Sequence, residues 1–62
     1  AIPPVLRLLR HESPVVRRLA VWALGEMRFP ETAAAVAALL ADPDAAVRAE
    51  AAGALGDMAE TR

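Results

Sequence analysis

The 62-residue sequence contains no cysteine, lysine, tyrosine, asparagine or glutamine, and it has a single histidine. Without cysteine, disulfides and thiolate metal sites are excluded, and one histidine disfavours a structural zinc ion. The side-chain hydroxyls belong to Ser13, Thr32 and Thr61. Ser13 and His11 flank one tight turn, and no third group completes a nucleophile–base–orienter arrangement. We therefore expect no enzyme activity within these residues, no cofactor and no metal.

Long hydrophobic runs are also missing. The longest extends from Ala33 to Ala41, about half of the roughly 20 residues that a membrane-spanning helix needs. The first residues lack the basic and apolar regions of a signal peptide, so a cytoplasmic location is expected. The net charge of −1 disfavours a nucleic-acid partner. Among macromolecular partners, we therefore expect another protein.

The sequence matches itself when it is shifted by 31 residues. Ten positions are identical, nearly all of them apolar or glycine, which indicates a repeat protein. The matched pairs are Val5/Val36, Leu8/Leu39, Leu9/Leu40, Val16/Val47, Arg17/Arg48, Ala20/Ala51, Ala23/Ala54, Leu24/Leu55, Gly25/Gly56 and Met27/Met58. We therefore divide the chain into a first repeat, residues 1–31, and a second repeat, residues 32–62.

Each repeat is predicted to form two helices, A and B, joined by a turn of about three residues. Ser13 and Asp44 are predicted to cap the B helices, and Thr32 to cap the second A helix. The predicted helices are 3–10, 14–27, 33–41 and 45–58. No stretch alternates with period two, so strands are not expected. The fold class is therefore all-α: two stacked antiparallel helical hairpins, four helices in all, forming a short right-handed solenoid.

Part of the second repeat resembles a known family. Residues 39–48 (Leu-Leu-Ala-Asp-Pro-Asp-Ala-Ala-Val-Arg) and residues 51–56 (Ala-Ala-Gly-Ala-Leu-Gly) resemble the HEAT repeat. More narrowly, they resemble the HEAT-like repeats named after phycobilisome lyases. The resemblance covers the whole chain, although Ser13 stands in the first repeat where the second has Asp44.

The resemblance implies a ladder of hydrogen bonds between successive repeats. In the family, an aspartate in the A–B turn and an arginine of helix B form this ladder. Asp42 and Arg48 match those positions, and Arg17 is the corresponding arginine of the first repeat. His11 replaces the aspartate in the first repeat, which is expected to weaken the ladder at that end.

The pair His11–Glu12 raises the question of a metal site. One HEAT-repeat enzyme family, deoxyhypusine hydroxylase, binds iron through His-Glu pairs inside helix B. The matching positions here are Arg18-Leu19 and Ala49-Glu50, neither of which is His-Glu. We favour a solvated turn, in which His11 interacts with the end of the first A helix.

Trp22 is the most informative candidate for partner binding. At 100° per residue it points away from the predicted core face of the first B helix, which consists of Val16, Ala20, Ala23, Leu24 and Met27. In HEAT-like stacks the B helices line the concave surface. The predicted protein-binding residues are therefore Arg18, Val21, Trp22, Glu26, Ala49, Gly53 and Asp57. An alternative is that Trp22 folds over Gly53 and covers the seam between the two B helices.

The ends of the chain suggest a second surface. Neither repeat is polar enough to cap a stack, so the unit is expected to self-associate or to be a fragment of a longer array. The first repeat carries a net charge of +2 and the second of −3, which suits head-to-tail stacking, although a chance distribution accounts for it equally well. Three functional hypotheses follow: a protein-interaction or assembly module, the HEAT-like part of a larger enzyme or tetrapyrrole-handling lyase subunit, and a self-assembling homo-oligomer.

Overall fold

The computed structural model describes residues 4–28 and 30–59. Pro3, the predicted start of the first helix, lies outside the described residues. So do Phe29, in the predicted inter-repeat turn, and the hydroxyl-bearing Thr61.

Helices account for most of the described chain, and no strand occurs in it. Helix A of the first repeat is a 3₁₀ helix, Pro4–Arg10, and helix B is α1, Pro14–Met27. A 3₁₀ turn, Pro30–Thr32, then leads into helix A of the second repeat, which consists of α2, Ala33–Ala37, and a 3₁₀ segment, Ala38–Ala41. Helix B of the second repeat is α3, Ala45–Ala59. The predicted all-α fold of four helices is confirmed.

The two B helices begin in different ways. The Asp44 carboxylate caps α3, because its Oδ1 accepts the backbone N–H groups of Ala46 (2.9 Å) and Val47 (3.1 Å). Ser13 stands at the N-cap of α1 in extended conformation, but its side chain makes no capping hydrogen bond. Thr32 holds the same position before α2, also without a side-chain cap bond. The prediction of a side-chain cap is therefore confirmed for Asp44 and wrong for Ser13 and Thr32.

Helix α1 ends in a left-handed residue. Arg28 has φ 55° and ψ 49°, and its N–H donates to the Leu24 carbonyl at 3.0 Å. Glycine usually occupies this position because it lacks the Cβ that makes the left-handed region costly. The turn to the second repeat therefore begins with a strained arginine, two positions before the segment that starts at Pro30.

The core lies where α1 is packed between the first 3₁₀ helix and α3. Its fully or nearly buried members are Leu9, Ala20, Val21, Leu24, Val36, Ala51, Ala54 and Met58. The predicted core face of the first B helix is wrong in part: Met27 is exposed, whereas Val21 and Gly25 are buried. The reason is that α1 must bury one side against its own helix A and another against α3.

Gly25 lies at a point where α1 and α3 approach each other closely. A Cβ atom on this glycine would lie 3.0 Å from the Cβ of Ala54 and 3.1 Å from its Cα. Both values are tighter than ordinary van der Waals contact. The absence of a side chain at Gly25 therefore permits the two helices to approach this closely.

Candidate functional site

The contact between the two A–B turns is built around Asp42. Arg17 Nε donates to Asp42 Oδ2 at 2.8 Å, and Arg17 Nη2 donates to Asp42 Oδ1 at 3.1 Å. Asp42 is 5% exposed, so this two-pronged ion pair is largely shielded from water. Its hydrogen bond from Arg17 holds the pKa of the Asp42 carboxyl below its ordinary value of 3.8, against the opposing effect of burial. The pair joins helix B of the first repeat to the turn of the second.

Each arginine of the proposed ladder also binds its own turn. Arg17 Nη1 donates to the carbonyl oxygens of His11 (2.8 Å) and Glu12 (3.0 Å). Arg48 Nη1 likewise donates to the carbonyl oxygen of Asp42 at 2.6 Å. In each repeat, Nη1 of the arginine therefore binds the carbonyl oxygen of the equivalent turn residue, His11 in the first repeat and Asp42 in the second.

His11 reproduces only part of the chemistry of Asp42. Asp42 Oδ1 accepts the backbone N–H of Asp44 at 2.9 Å, and His11 Nδ1 accepts the N–H of Ser13 at 3.0 Å. Each side chain thus closes its turn two residues ahead. Asp42 still has oxygen lone pairs for an arginine, whereas the one acceptor nitrogen of His11 is already in use.

A groove runs along the other face of the B helices. Val15, Leu19 and Trp22 lie on one side of α1 and are 68%, 62% and 52% exposed. Together with Arg18 and Glu50, they line a concavity of about 300 Å³, which we call the α1–α3 groove. A smaller hollow of about 140 Å³ adjoins it, with Asp44 and Ala46 on its wall.

The predicted protein-binding residues do not all lie at this groove. Arg18 and Trp22 line it, and Glu26, Ala49 and Gly53 are exposed on the same pair of helices. Asp57 is half-buried, and its Oδ2 lies 3.7 Å from where a Cβ on Gly25 would be. The assignment of Val21 is wrong, because its side chain has no exposed surface: it points into the core beside α3.

The alternative in which Trp22 covers Gly53 is also wrong. Apart from Gly53, its two chain neighbours and the nearby backbone of its own helix, no atom of the described chain lies within 4 Å of the position that a Cβ on Gly53 would take. Trp22 instead lines the α1–α3 groove together with Leu19. Val15, Leu19 and Glu50 are groove residues that the sequence analysis missed. The spacing of Val15, Leu19 and Trp22, at i, i+4 and i+7, is the pattern that could have revealed a second apolar stripe on this helix.

In residues 4–28 and 30–59, no three histidine, aspartate or glutamate side chains are grouped closely enough to hold a metal ion. No helix in that part of the chain has both the length and the apolarity to cross a bilayer.

Comparison with known proteins assigns the family. The family model described as HEAT repeats matches residues 2–62, which is nearly the entire sequence. The chain belongs to the HEAT repeats. Members of this family generally mediate contacts between proteins. Comparisons with curated proteins and with solved structures gave no match. In this HEAT-repeat chain, the ion pair of Arg17 with Asp42 links successive repeats, and the α1–α3 groove lies on the surface that both B helices share.

Proposed function

We propose that this HEAT-repeat chain is a non-catalytic protein-interaction module that binds its partner in the α1–α3 groove. The observation that carries the proposal is the exposed stripe of Val15, Leu19 and Trp22. Single exposed apolar residues are ordinary on protein surfaces, but three large ones side by side in a concavity are typical of a binding site. Tryptophan is also among the residues most enriched at interface hot spots.

The charges at the groove favour a helical partner segment. Arg18 and Glu50 both line the groove and carry opposite charges. A partner with one apolar anchor, flanked by an acidic and a basic side chain, would complement both charges while burying the anchor against Trp22. An amphipathic helix provides such an arrangement and is a common ligand of grooves between helices. The occupant we propose is therefore a short amphipathic helix of another protein.

The test uses a displayed library of amphipathic helical peptides selected on the intact chain. Binders should lose about 2 kcal/mol or more of binding free energy on Trp22→Ala. Leu40→Ala is the matched control, because Leu40 is 46% exposed but does not line the groove. Isothermal titration of each variant gives the affinities, and Trp22 fluorescence reports on the groove, since it is the only tryptophan.

Two results would contradict the proposal that the partner binds in the α1–α3 groove. One is a set of selected peptides that bind Trp22→Ala as tightly as the unmodified chain. The other is a Trp22→Ala variant whose melting temperature falls while its peptide affinity is unchanged, because Trp22 would then serve stability alone.

We also propose the narrower assignment to the HEAT-like repeats named after phycobilisome lyases. The Asp42-Pro43-Asp44 turn, followed by Val47-Arg48 and Leu55-Gly56, supports it. Under this assignment any tetrapyrrole chemistry would depend on groups outside these 62 residues. Adding a linear tetrapyrrole to the chain should therefore leave the absorbance spectrum of the pigment unchanged, and a shifted spectrum would contradict this part of the proposal.

A further inference from the structure

The two B helices lie side by side and run in the same direction. Near their starts, Arg17 of α1 binds Asp42, which stands shortly before α3. Near their ends, Gly25 of α1 lies against Ala54 of α3. The starts of the two helices are therefore adjacent, and so are their ends. Equivalent residues of the two repeats consequently face the same side of the molecule.

Each B helix presents four residues on its groove side at the spacing i, i+4, i+7 and i+11, which keeps them on one face. The stripe on α1 consists of Val15, Leu19, Trp22 and Glu26, and the stripe on α3 consists of Ala46, Glu50, Gly53 and Asp57. A further repeat stacked on this pair would continue this surface sideways rather than cover it. The stripe on α1 is mostly large and apolar, whereas the stripe on α3 is small and acidic.

The middle of the two stripes leaves space for one apolar side chain of a partner. Trp22 is 52% exposed, and the equivalent residue of α3 is Gly53, which has no side chain. Apart from its chain neighbours and the nearby backbone of its own helix, no atom of the described chain lies within 4 Å of a Cβ built on Gly53. An apolar anchor can therefore lie over Gly53, beside the ring of Trp22.

Charged side chains stand on both sides of this space. Towards the helix starts, Arg18 and Glu50 carry opposite charges, whereas towards the helix ends Glu26 and Asp57 are both acidic, one on each helix. Within residues 4–28 and 30–59, none of these four side chains makes an ion pair or a hydrogen bond, and Arg28, which follows α1, pairs with neither carboxylate. The C-terminal ends of both helices add partial negative charge. One end of the surface is therefore nearly neutral and the other is strongly negative.

We propose, on the basis of the groove function proposed above, that the partner helix carries a lysine or arginine that lies between Glu26 and Asp57. Its apolar anchor lies one turn away, over Gly53, and an acidic side chain one turn further on faces Arg18. Arg18 and Glu26 are about 12 Å apart along α1, which two turns of a partner helix span. The docked face of the partner is therefore basic, apolar and acidic at intervals of one turn. Such complementarity selects the correct partner more than it adds affinity.

The test is a selection from displayed amphipathic helical peptides that have one fixed leucine and any residue one turn before and after it. On the unmodified chain, a lysine or arginine should be selected at one of these two positions. On Glu26→Lys, an acidic residue should be selected there instead. Glu12→Lys is the matched control, because Glu12 is also exposed but lies about 20 Å from Glu26, before the start of α1. It should select the same peptides as the unmodified chain.

A double-mutant cycle then tests the contact with Asp57. Replacing the selected basic residue by glutamine should weaken binding to the unmodified chain about threefold, as expected for an exposed ion pair. Asp57→Asn, which keeps the shape of the side chain, should weaken binding of the basic peptide by a similar factor. The two changes together should cost little more than either alone. Peptides without tryptophan allow the fluorescence of Trp22 to report each affinity.

Three results would overturn this proposal: the same flanking residues selected on Glu26→Lys as on the unmodified chain, the same change of selection on Glu12→Lys, or independent losses in the cycle with Asp57. Trp22→Ala separates this failure from failure of the groove itself. If selected peptides bind Trp22→Ala as tightly as the unmodified chain, the groove function is wrong and the charge pattern with it. If Trp22→Ala weakens binding but Glu26→Lys leaves the selection unchanged, only the charge pattern is wrong.

Discussion

The two repeats carry identical residues at ten positions, yet the same residue is buried in one repeat and exposed in the other. Leu9 is covered and Leu40 is not, whereas Met58 is covered and Met27 is not. Whether the first-repeat or the second-repeat residue of a pair is the buried one depends on which of the two faces the other repeat. A residue of a repeat protein therefore takes its environment from the neighbour on its own side, and the same side chain serves as core or as surface.

The two A–B turns show a second difference. Asp42 and Asp44 share three tasks: closing the turn, capping α3 and accepting the ion pair from Arg17. In the first repeat, His11 closes the turn, and Ser13 makes no side-chain cap bond. A carboxylate accepts several hydrogen bonds at once, which a neutral imidazole with one acceptor nitrogen cannot do. The second turn is therefore the better anchored of the two.

The largest expected effect comes from a matched pair of leucines. Leu24 is fully buried and Leu55 is half-buried, although they hold the same repeat position. Leu24→Ala should lower the free energy of unfolding by about 2–5 kcal/mol, as expected for a cavity in a packed core. Leu55→Ala should cost less than half as much. Urea unfolding followed by circular dichroism measures both, and equal losses would show that the two repeats are equally covered.

The glycines Gly25 and Gly56 should respond with opposite signs. Gly25→Ala forces a methyl group against Ala54 and should lower the free energy of unfolding by about 1–3 kcal/mol. Gly56→Ala meets nothing in the single chain and should raise it by up to about 1 kcal/mol through helix propensity. Thermal melts at low protein concentration compare the two. A stabilising Gly25→Ala would mean that α1 and α3 are not held at this distance in solution.

The helix caps sharpen the comparison of the turns. Asp44→Ala removes the acceptor of two backbone N–H groups and should cost about 1 kcal/mol of unfolding free energy. Ser13→Ala should change stability by only a few tenths of a kcal/mol, because the Ser13 side chain makes no cap bond. Chemical denaturation resolves a difference of this size. A loss on Ser13→Ala as large as that on Asp44→Ala would remove the distinction between the two turns.

The smallest effect concerns pH. The pKa of Asp42 is lowered in the folded chain, chiefly by its hydrogen bond from Arg17. The folded state therefore binds a proton at Asp42 less readily than the unfolded state. The stability from this pair is present above the ordinary pKa of 3.8 and is lost as the pH falls through the lower folded value.

Asp42→Asn should make the stability of the folded chain less dependent on pH in the acid range. Urea midpoints measured at successive pH values below 5 should decline less steeply in Asp42→Asn than in the unmodified chain. Identical slopes for Asp42→Asn and the unmodified chain would contradict the role given to the pair.

The core face of the first B helix shows where prediction from sequence failed. A rotation of 100° per residue along this helix placed Val16, Ala23 and Met27 on the predicted core face together with Ala20 and Leu24. In the structure Ala20 and Leu24 of this predicted face are buried, but Met27 is exposed, and Val21, which was not assigned to it, is fully buried. Spacing along one helix identifies apolar stripes, but it does not tell which stripe the neighbouring helix covers.

The groove was predicted only in part for the same reason. Trp22 and Arg18 were identified from the angle at which they leave the helix. Val21 lies next to Trp22 along the chain and was assigned to the same surface, but a rotation of 100° carries it into the core. Leu19 and Val15 were assigned neither to the core face nor to the binding surface.

The sequence by itself determined the repeat length, the helical fold, the position of α1, the Asp44 cap and the family. These depend on short-range chemistry, such as proline and aspartate at helix starts, alanine and leucine within helices, and identities 31 residues apart. Only the tertiary structure decided which copy of each repeated residue is covered, and that Arg17 reaches Asp42 while Arg48 does not reach a counterpart. Those outcomes depend on whether the other repeat packs against the residue in question. The repeated residues are the same in both repeats, so the sequence pattern does not indicate which of the two is covered.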